Sequence, residues 1–300
     1  MARRSMMVLA ALGAMTALAA CSTGEGNPDG SLSDAGADGG VRFVPSIQKM
    51  VKGAGPHLAM LIAHRGGAGE APENTMAAYQ YSFGLGVASI EIDTRPTKDG
   101  VLVIIHDDTL DRATDCTGEV DQKTRDELKG CTVTAGNITN FTPEQRKIPT
   151  LDEVFAWVKD KMLVNIDAKS ASLDDLVVKI REYGLTDQVI YQTGSASGCL
   201  SLETKYPDIF CLAKIEAITE VDFVKEQLKT NLLQLGDNSL YTNENMEMIH
   251  SGGLKTTINV MGTYDLLPTA DKLEYLKTGG DMFQTDMPAQ WQAALKRYNR

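Results

Sequence analysis

Short apolar runs, many of them β-branched, alternate with amphipathic stretches along most of this 300-residue chain. Runs of this length that end at glycine, proline or polar residues predict buried strands, and the amphipathic stretches between them predict helices. Helices are predicted over 151–159 and 173–183. Strands are predicted at the runs that begin with Leu61, Ser89 and Val101, and at Met162–Ala168, Val189–Gln192, Phe210–Ile215, Leu232–Leu235, Thr256–Val260 and Met282–Thr285.

The second and third of these strands are predicted to form a hairpin. The chain between Asp93 and Val101 is too short for a parallel crossover, which needs a dozen or more residues. Asp99-Gly100 is a favourable turn, and a two-residue loop there sets Asp93 opposite His106. Pro96 cannot donate to the ladder and leaves open a bulge that shifts this register by one. In either register we expect Asp93 and His106 to be neighbours.

The remaining strands alternate with helices at the spacing of a (β/α)8 TIM barrel. Residues 41–300 suit one barrel domain, since such domains commonly run to about 250 residues. Residues 108–147 are polar and show no clear strand. A connection this long is usually functional or independently ordered, so we expect an inserted loop segment after the strand that ends at His106.

The N-terminal residues predict export. Residues 1–20 carry Arg3 and Arg4, then an alanine-rich apolar run too short for a membrane span, which is typical of a secretory signal. The ending Leu18-Ala19-Ala20-Cys21 resembles a bacterial lipobox, which implies cleavage before Cys21 and lipidation of its thiol; ordinary secretion is the alternative. Residues 21–40 are rich in glycine, serine and aspartate and predict a flexible linker.

The net charge limits the classes of binding partner, and the predicted export bears on whether the cysteines form disulfides. The net charge of −11 argues against nucleic acid and against adsorption to anionic lipid, although a lipid anchor attaches a protein regardless of charge. Export to an oxidising compartment favours disulfides among the four cysteines besides Cys21. The pairs Cys116–Cys131 and Cys199–Cys211 are favoured over the two other connectivities because each joins neighbours across one segment.

Residues with related chemistry lie where the first predicted strands end. Glu91 and Asp93 are two apart, so on a strand both carboxylates point to one face and form a hard-oxygen site suited to Ca²⁺ or Mg²⁺. His64 and His106 can supply a general acid and a general base, and Arg65 offers a planar fork for a phosphate. One histidine at a strand end is more often structural, but five suitable residues favour metal-assisted attack on a phosphate ester.

These residues belong to an ordered series of motifs that resembles the glycerophosphodiester phosphodiesterase family. The resemblance covers the chain from about Met60 onward. The motifs are His64-Arg65-Gly66, Pro72-Glu73-Asn74-Thr75, Glu91 with Asp93, Thr97 with Asp99-Gly100, His106-Asp107, Leu110-Asp111-Arg112-Ala113-Thr114, the run 148–154, and Thr285-Asp286-Met287-Pro288.

The resemblance implies a (β/α)8 barrel, His64 and His106 as the acid/base pair, and Glu91 and Asp93 as metal ligands. A later Glu-x-Lys of the family gives a further ligand and a phosphate-neutralising lysine. Here that motif is Asp167-Ala168-Lys169, whose aspartate is one methylene shorter. The family's Trp-Thr-Val-Asn is replaced by Ile258-Asn259-Val260-Met261, which bears on specificity for the alcohol.

We therefore expect a lipid-anchored enzyme of the bacterial cell envelope that hydrolyses small glycerophosphodiester or lysophospholipid substrates to sn-glycerol 3-phosphate and an alcohol. A Ca²⁺ or Mg²⁺ ion on Glu91, Asp93 and Asp167 would polarise the phosphate, and Arg65 and Lys169 would offset its charge. Two alternatives stay open. A lipase of the sphingomyelinase D type is favoured by Asp167 but disfavoured by the motif at 72–75. A phosphodiester-binding lipoprotein without turnover is disfavoured by the retained histidine pair. His57 and His250 match no motif and are expected to be structural.

Overall fold

The strands of this protein form one closed sheet. The computed structural model describes Ile47 and residues 59–298. Within this part, eight parallel strands form the barrel, because the first strand pairs with both the second and the last, and one further strand is antiparallel. The strands are β1 (Met60–Ala63), β2 (Ser89–Pro96), β3 (Leu102–Ile104), β4 (Leu163–Asp167), β5 (Val189–Thr193), β6 (Phe210–Ile215), β7 (Leu232–Leu235), β8 (Lys255–Asn259) and β9 (Met282–Thr285). The predicted (β/α)8 barrel is confirmed.

Helices follow the barrel strands on the outside. Each parallel strand of the described residues leads into a helix before the next one begins, and the antiparallel β3 belongs to the predicted hairpin. The helices are α1 (Met76–Leu85), α2 (Arg125–Leu128), α3 (Leu151–Val158), α4 (Leu173–Glu182), α5 (Ala196–Lys205), α6 (Val221–Gln227), α7 (Asn243–Ser251), α8 (Thr269–Leu276) and α9 (Pro288–Tyr298). The two predicted helices at 151–159 and 173–183 correspond to α3 and α4.

Local capping explains where the helices nearest the site begin. Thr75 precedes α1, and its side chain accepts a hydrogen bond from the backbone N–H of Ala78. Thr150 and Glu153 form a reciprocal capping box at α3, in which each side chain accepts from the backbone N–H of the other residue. These caps satisfy backbone donors that a helix leaves unpaired at its first turn, so each motif determines the residue at which its helix begins.

The interior of the barrel changes from apolar to polar along the strands. Alternate strand residues point inward, and those at the amino-terminal end form an apolar layer. One layer higher, the inward residues are polar and include Asn165, Gln192 and Gln234, with Gln192 Nε2 donating to Gln234 Oε1 over 3.1 Å. The outward residues pack against the helices in a larger core. The polar part of the barrel interior therefore lies toward the carboxyl ends of the strands.

The β2–β3 hairpin has a different register from the two-residue turn predicted at Asp99-Gly100. Thr94 pairs with Ile104 and Pro96 with Leu102, so the loop is five residues long. Thr97 organises it: its N–H donates to Val101 O, and its hydroxyl accepts from the N–H of Val101. The predicted pairing of Asp93 with His106 is therefore wrong by one residue, and Ile105 N–H bonds the Asp93 carbonyl instead.

The segment after His106 is an ordered insert with its own small core. Its buried residues include Leu110, Ala113, Val120 and Val133, which pack against the outer side of β3. The insert contains α2 and is closed by the Cys116–Cys131 disulfide, while Cys199 and Cys211 join α5 to β6. Both predicted disulfide pairs are thus present, and the insert is independently ordered as expected.

Several predictions lie outside the described residues. They are the signal at 1–20, the linker at 21–40, lipidation of Cys21, and the structural role of His57. Among residues 59–298, no helix combines the length and apolar character needed to cross a bilayer.

Candidate active site

Three carboxylates converge at the carboxyl ends of β2 and β4. The two strands are paired in parallel, with Asp93 beside Asp167 and Glu91 beside Asn165. One oxygen from each of Glu91, Asp93 and Asp167 lies within 4.8 Å of the others, and the first two side chains are buried. The structure therefore brings the three predicted metal ligands together. An all-oxygen set of this size fits a hard divalent cation.

Cationic and hydrogen-bonding groups surround this carboxylate cluster. Lys169 Nζ lies 2.6 Å from Asp167 Oδ2 and 3.2 Å from Asp93 Oδ1. Arg65 contributes its backbone N–H to Glu91 Oε2 over 2.8 Å, and its Nε lies 3.4 Å from Asp93 Oδ2. Both residues predicted to contact phosphate thus border the cluster.

The positive charges of Arg65 and Lys169 do not fully balance the three carboxylates of the cluster. Burial and the neighbouring Asp93 raise the pKa of Glu91 to about 8, because three carboxylates in a poorly solvated site repel one another. Asp93 Oδ1 is buried and accepts no hydrogen bond, although the Lys169 ammonium is near. A divalent cation would relieve both features, so the residues present fit such an ion.

Asn74 fixes the orientation of Asp93. Its Nδ2 donates to Asp93 Oδ2 over 2.7 Å, and its Oδ1 accepts from the hydroxyl of the buried Tyr79 over 3.1 Å. Asn74 has a positive φ of 55°, a conformation that asparagine tolerates better than most residues. Asn74 belongs to a sequence motif, but its role could not be predicted, because Asn74 lies in a loop and its partner Asp93 lies on β2.

His64 stands on a tight turn at the end of β1. Arg65 and Gly66 both have positive φ, and a Cβ at Gly66 would lie 2.6 Å from the side chain of Ala78 on α1, so only glycine fits there. His64 Nδ1 is hydrogen-bonded to Asp286 Oδ1 over 2.7 Å, and Nε2 lies 4.0 Å from Glu91 Oε2. Burial lowers the pKa of His64, but the Asp286 hydrogen bond and the Glu91 charge outweigh it and raise the pKa above its ordinary value.

Asp286 is itself held by Asp265, a buried residue after β8. The Asp265 carboxylate accepts from the backbone N–H of Asp286 over 2.9 Å, from the hydroxyl of Thr285 and from the indole N–H of Trp291. The imidazole of His64 is therefore oriented by residues from the last strand and its flanking loops. Asp286 belongs to a sequence motif, but the role of Asp265 was missed, since nothing near it in the sequence marks it.

His106 lies just beyond β3 and has a carboxylate partner of its own. Its Nδ1 is hydrogen-bonded to Asp107 Oδ1 over 2.6 Å. Within the described residues no ion pair or hydrogen bond joins the side chains of His106 and Asp93, although His106 directly follows Ile105, whose N–H bonds the Asp93 carbonyl. A chain of charges connects them instead, and it runs through Asp107, Arg112, Glu73 and Arg65.

A cavity of about 450 Å³ opens beside Asp167. Leu173, Tyr191 and Leu202 give it apolar walls, and Lys205 lies at its edge. Lys205 is paired with Asp174 over 2.6 Å, as Asp167 is with Lys169. The cavity thus presents apolar surface and charges that are already balanced.

His250 lies away from this site. It lies near the end of α7, and its Nε2 is 2.9 Å from Oδ2 of the buried Asp281, which precedes β9. Since the carboxylate cluster lies toward the carboxyl ends of the parallel barrel strands and Asp281 precedes one of them, the two groups lie at opposite ends of the barrel. The structural role expected for His250 agrees with this position.

A known protein family matches the part of the chain that contains the carboxylate cluster and both histidines. The family model described as the glycerophosphoryl diester phosphodiesterase family matches residues 64–274. A glycerophosphodiester phosphodiesterase of Caldanaerobacter subterraneus subsp. tengcongensis is 41% identical over 138 residues, which cover 44% of this chain and 56% of the relative. The chain thus spans little more than half the length of that relative.

Solved structures share the fold. A glycerophosphoryl diester phosphodiesterase from Parabacteroides distasonis superposes with a TM-score of 0.70 at 23% identity, over 82% of this chain and 89% of that one. A phosphodiesterase from Oleispira antarctica, solved in complex with the product sn-glycerol-3-phosphate, gives a TM-score of 0.65 at 24% identity, over 80% and 97% of the two chains.

Proposed function

Since the chain belongs to the glycerophosphoryl diester phosphodiesterase family, we propose that it hydrolyses glycerophosphodiesters to sn-glycerol 3-phosphate and an alcohol, and that it requires a divalent cation. The observation that carries this proposal is the convergence of Glu91, Asp93 and Asp167 beside His64. His64 and His106 each have a carboxylate partner. The product bound in the Oleispira antarctica structure supports the same reaction for this chain.

The cation would be Ca²⁺ or Mg²⁺, held by Glu91, Asp93 and Asp167. When bound, it would polarise the phosphate and favour the deprotonated form of an attacking hydroxyl. Arg65 and Lys169, which border the same carboxylates, would form charge-assisted hydrogen bonds with the phosphate oxygens.

The two histidines would move the protons of the reaction. An ionised carboxylate can only accept, so Asp286 and Asp107 hold the proton on Nδ1 of His64 and His106, and leave Nε2 to react. One Nε2 takes the proton of the attacking hydroxyl as the new P–O bond forms. The other, carrying a proton, gives it to the alkoxide oxygen as the bond from phosphorus to the alcohol breaks. The attacking hydroxyl is that of a water molecule: its oxygen forms the new bond to phosphorus, one of its hydrogens stays on the phosphate, and its other hydrogen is taken up by the first histidine while the second gives a proton to the leaving alcohol.

We assign the cavity beside Asp167 to the alcohol part of the substrate. It adjoins the carboxylate cluster, and its own charges are paired within the protein. Its apolar walls at Leu173 and Leu202 favour an uncharged substituent. No tryptophan stands at Ile258-Asn259-Val260-Met261, so selection of the alcohol in this chain rests on other surfaces.

The test is release of glycerol 3-phosphate from glycerophosphocholine, measured with an enzyme-coupled assay before and after exhaustive chelation. Release that chelation abolishes and added Ca²⁺ or Mg²⁺ restores supports the proposal. Full turnover after chelation contradicts the cation requirement. Release of choline from sphingomyelin with a higher kcat/KM would favour the sphingomyelinase D type, and tight binding without turnover would favour a binding lipoprotein.

We also propose that the mature protein is exported and held at a membrane by lipid on Cys21. The support is the lipobox-like ending Leu18-Ala19-Ala20-Cys21 after an apolar run. The linker at 21–40 would then let the catalytic domain at 41–300 extend away from the membrane surface.

A further inference from the structure

Arg112 joins two acids that come from different parts of the fold. Its Nη2 lies 2.7 Å and its Nη1 3.2 Å from the two oxygens of Glu73, and its Nε is paired with Asp107 Oδ2. Glu73 is buried at the start of the α1 region, whereas Asp107 follows β3. The planar guanidinium thus uses its whole donor fork on two carboxylates.

The second carboxylate oxygen of Asp107 is hydrogen-bonded to His106. Oδ1 lies 2.6 Å from His106 Nδ1, while Oδ2 is taken by Arg112. With both oxygens engaged, the carboxylate has one rotamer in which it can hold the imidazole. The Arg112 hydrogen bond also lowers the pKa of Asp107 to about 2, so the acceptor stays ionised throughout the neutral range. Nε2 of His106 has no hydrogen-bond partner among residues 59–298 and is free to react.

The insert holds Arg112 in place although the side chain itself is partly exposed. Its neighbours Leu110 and Ala113 are buried in the insert core, and the N–H of Thr114 donates to Leu110 O over 2.9 Å. The Cys116–Cys131 disulfide closes the same segment. A turn anchored on both sides presents Arg112 at a fixed position over Glu73 and Asp107.

We propose that Arg112 is a positioning residue, which acts through Asp107 to fix the tautomer and direction of His106, and that the insert holds Arg112 in place for this role. The proposal rests on the hydrolysis proposed above. A simple stabilising ion pair is the competing explanation, and the chain contains a matched case. Arg181 on α4 is equally exposed, at 48%, and contacts both oxygens of Asp208 over 2.7 and 3.0 Å.

The kinetic test compares R112Q and R112K with R181Q, each in the wild-type and H106A backgrounds. Misplacing a proton-transfer group by about 1 Å can cost about 10²-fold, so we expect R112Q to lower kcat by about that factor with little change in KM. R112K, which keeps the charge but loses the fork, should fall between. R181Q should keep wild-type kcat. In H106A, R112Q should lower kcat no further, because the group it positions is gone.

A second readout does not need turnover. The chain has four histidines, so imidazole ¹⁵N spectra can be assigned with H106A. We expect His106 to be protonated on Nδ1 in the wild type, and R112Q and D107N to convert it to a mixture of tautomers. R181Q should leave it unchanged.

The outcomes separate the two proposals. If R112Q converts His106 to a mixture of tautomers but neither the wild type nor any variant has phosphodiesterase activity, the positioning role is kept and the proposed function is rejected. A wild-type tautomer in R112Q, or an equal loss of kcat in the H106A background, rejects the positioning role even if the enzyme is active.

Discussion

Replacing His106 and His250 in turn by alanine should separate catalysis from stability. His106 is one third exposed, and its loss leaves Asp107 still paired with Arg112, so H106A should unfold with a free energy within about 1 kcal/mol of wild type. His250 contacts Asp281, which is fully buried, so H250A removes a partner from a buried carboxylate and should cost about 1–3 kcal/mol.

The catalytic effects should run the other way. General acid–base catalysis typically contributes about 10²–10⁴-fold per group, so H106A and H64A should each lower kcat by that range, or about 3–5 kcal/mol of activation free energy at 1.36 kcal/mol per tenfold. H250A should retain near-normal kcat at a temperature where it is folded. The H64A/H106A double variant should lose much less than the product of the single losses, since both residues serve one proton-transfer sequence.

The assays are denaturant unfolding for stability and release of glycerol 3-phosphate from glycerophosphocholine for kcat, with cation present. H57A is a further control, since His57 matches no motif. The reasoning is refuted if H250A or H57A is as inactive as H64A while folded, or if H106A keeps most of its kcat. Multiplicative losses in the double variant would mean that the two histidines act in separate events.

Three other predictions concern the cavity, the acid limit and the membrane. Leu202→Trp should fill the cavity beside Asp167 and so exclude a large alcohol more than a small one. We expect KM for glycerophosphoinositol to rise by about tenfold or more relative to KM for a glycerophosphodiester of ethanol. Equal changes in the two KM values would mean that the alcohol binds elsewhere. Because the pKa of Asp107 is lowered from 3.8 to about 2, its ionised carboxylate stabilises the fold fully at pH values above 3.8, and this contribution is lost as the pH falls towards about 2. In D107N, the free energy of unfolding should therefore fall less steeply with decreasing pH in the acid range. An unchanged acid dependence would contradict the Arg112 contact. Cys21→Ser should leave the protein unprocessed or released in soluble form, whereas membrane fractionation like wild type, with no acyl mass on wild type, would exclude the lipobox.

The barrel could be predicted because its signal is local. Most strands are short apolar runs, and several bounds, such as Phe210–Ile215, coincide with the prediction. The hairpin register could not be predicted, since Asp99-Gly100 is a good two-residue turn by itself. Thr97 overrides it by hydrogen-bonding its side chain across the loop to Val101, and Pro96 takes the last paired position.

The site was predicted by residue type but not by connection. Glu91, Asp93 and Asp167 converge because β2 and β4 are parallel neighbours, which follows from the barrel once the hairpin is set aside. The partner of His64 is 222 residues away in the sequence, so no spacing can indicate it. Its position follows only from the closure of the barrel, where β1 pairs with β9 and sets Ala63 beside Thr285.

The two histidines are therefore secured by independent parts of the chain. Asp286 reaches His64 only when β9 has closed the barrel, and it depends on Asp265 and the buried Trp291 for its place. Asp107 contacts His106 directly, and an arginine of the insert, whose core is separate from that of the barrel, holds Asp107 in place. In the proposed mechanism a proton enters at one histidine and leaves at the other, so neither the barrel nor the insert alone would complete the reaction. On the same proposal, we expect local opening of the insert to stop turnover while the eight-stranded barrel and its carboxylate cluster remain folded.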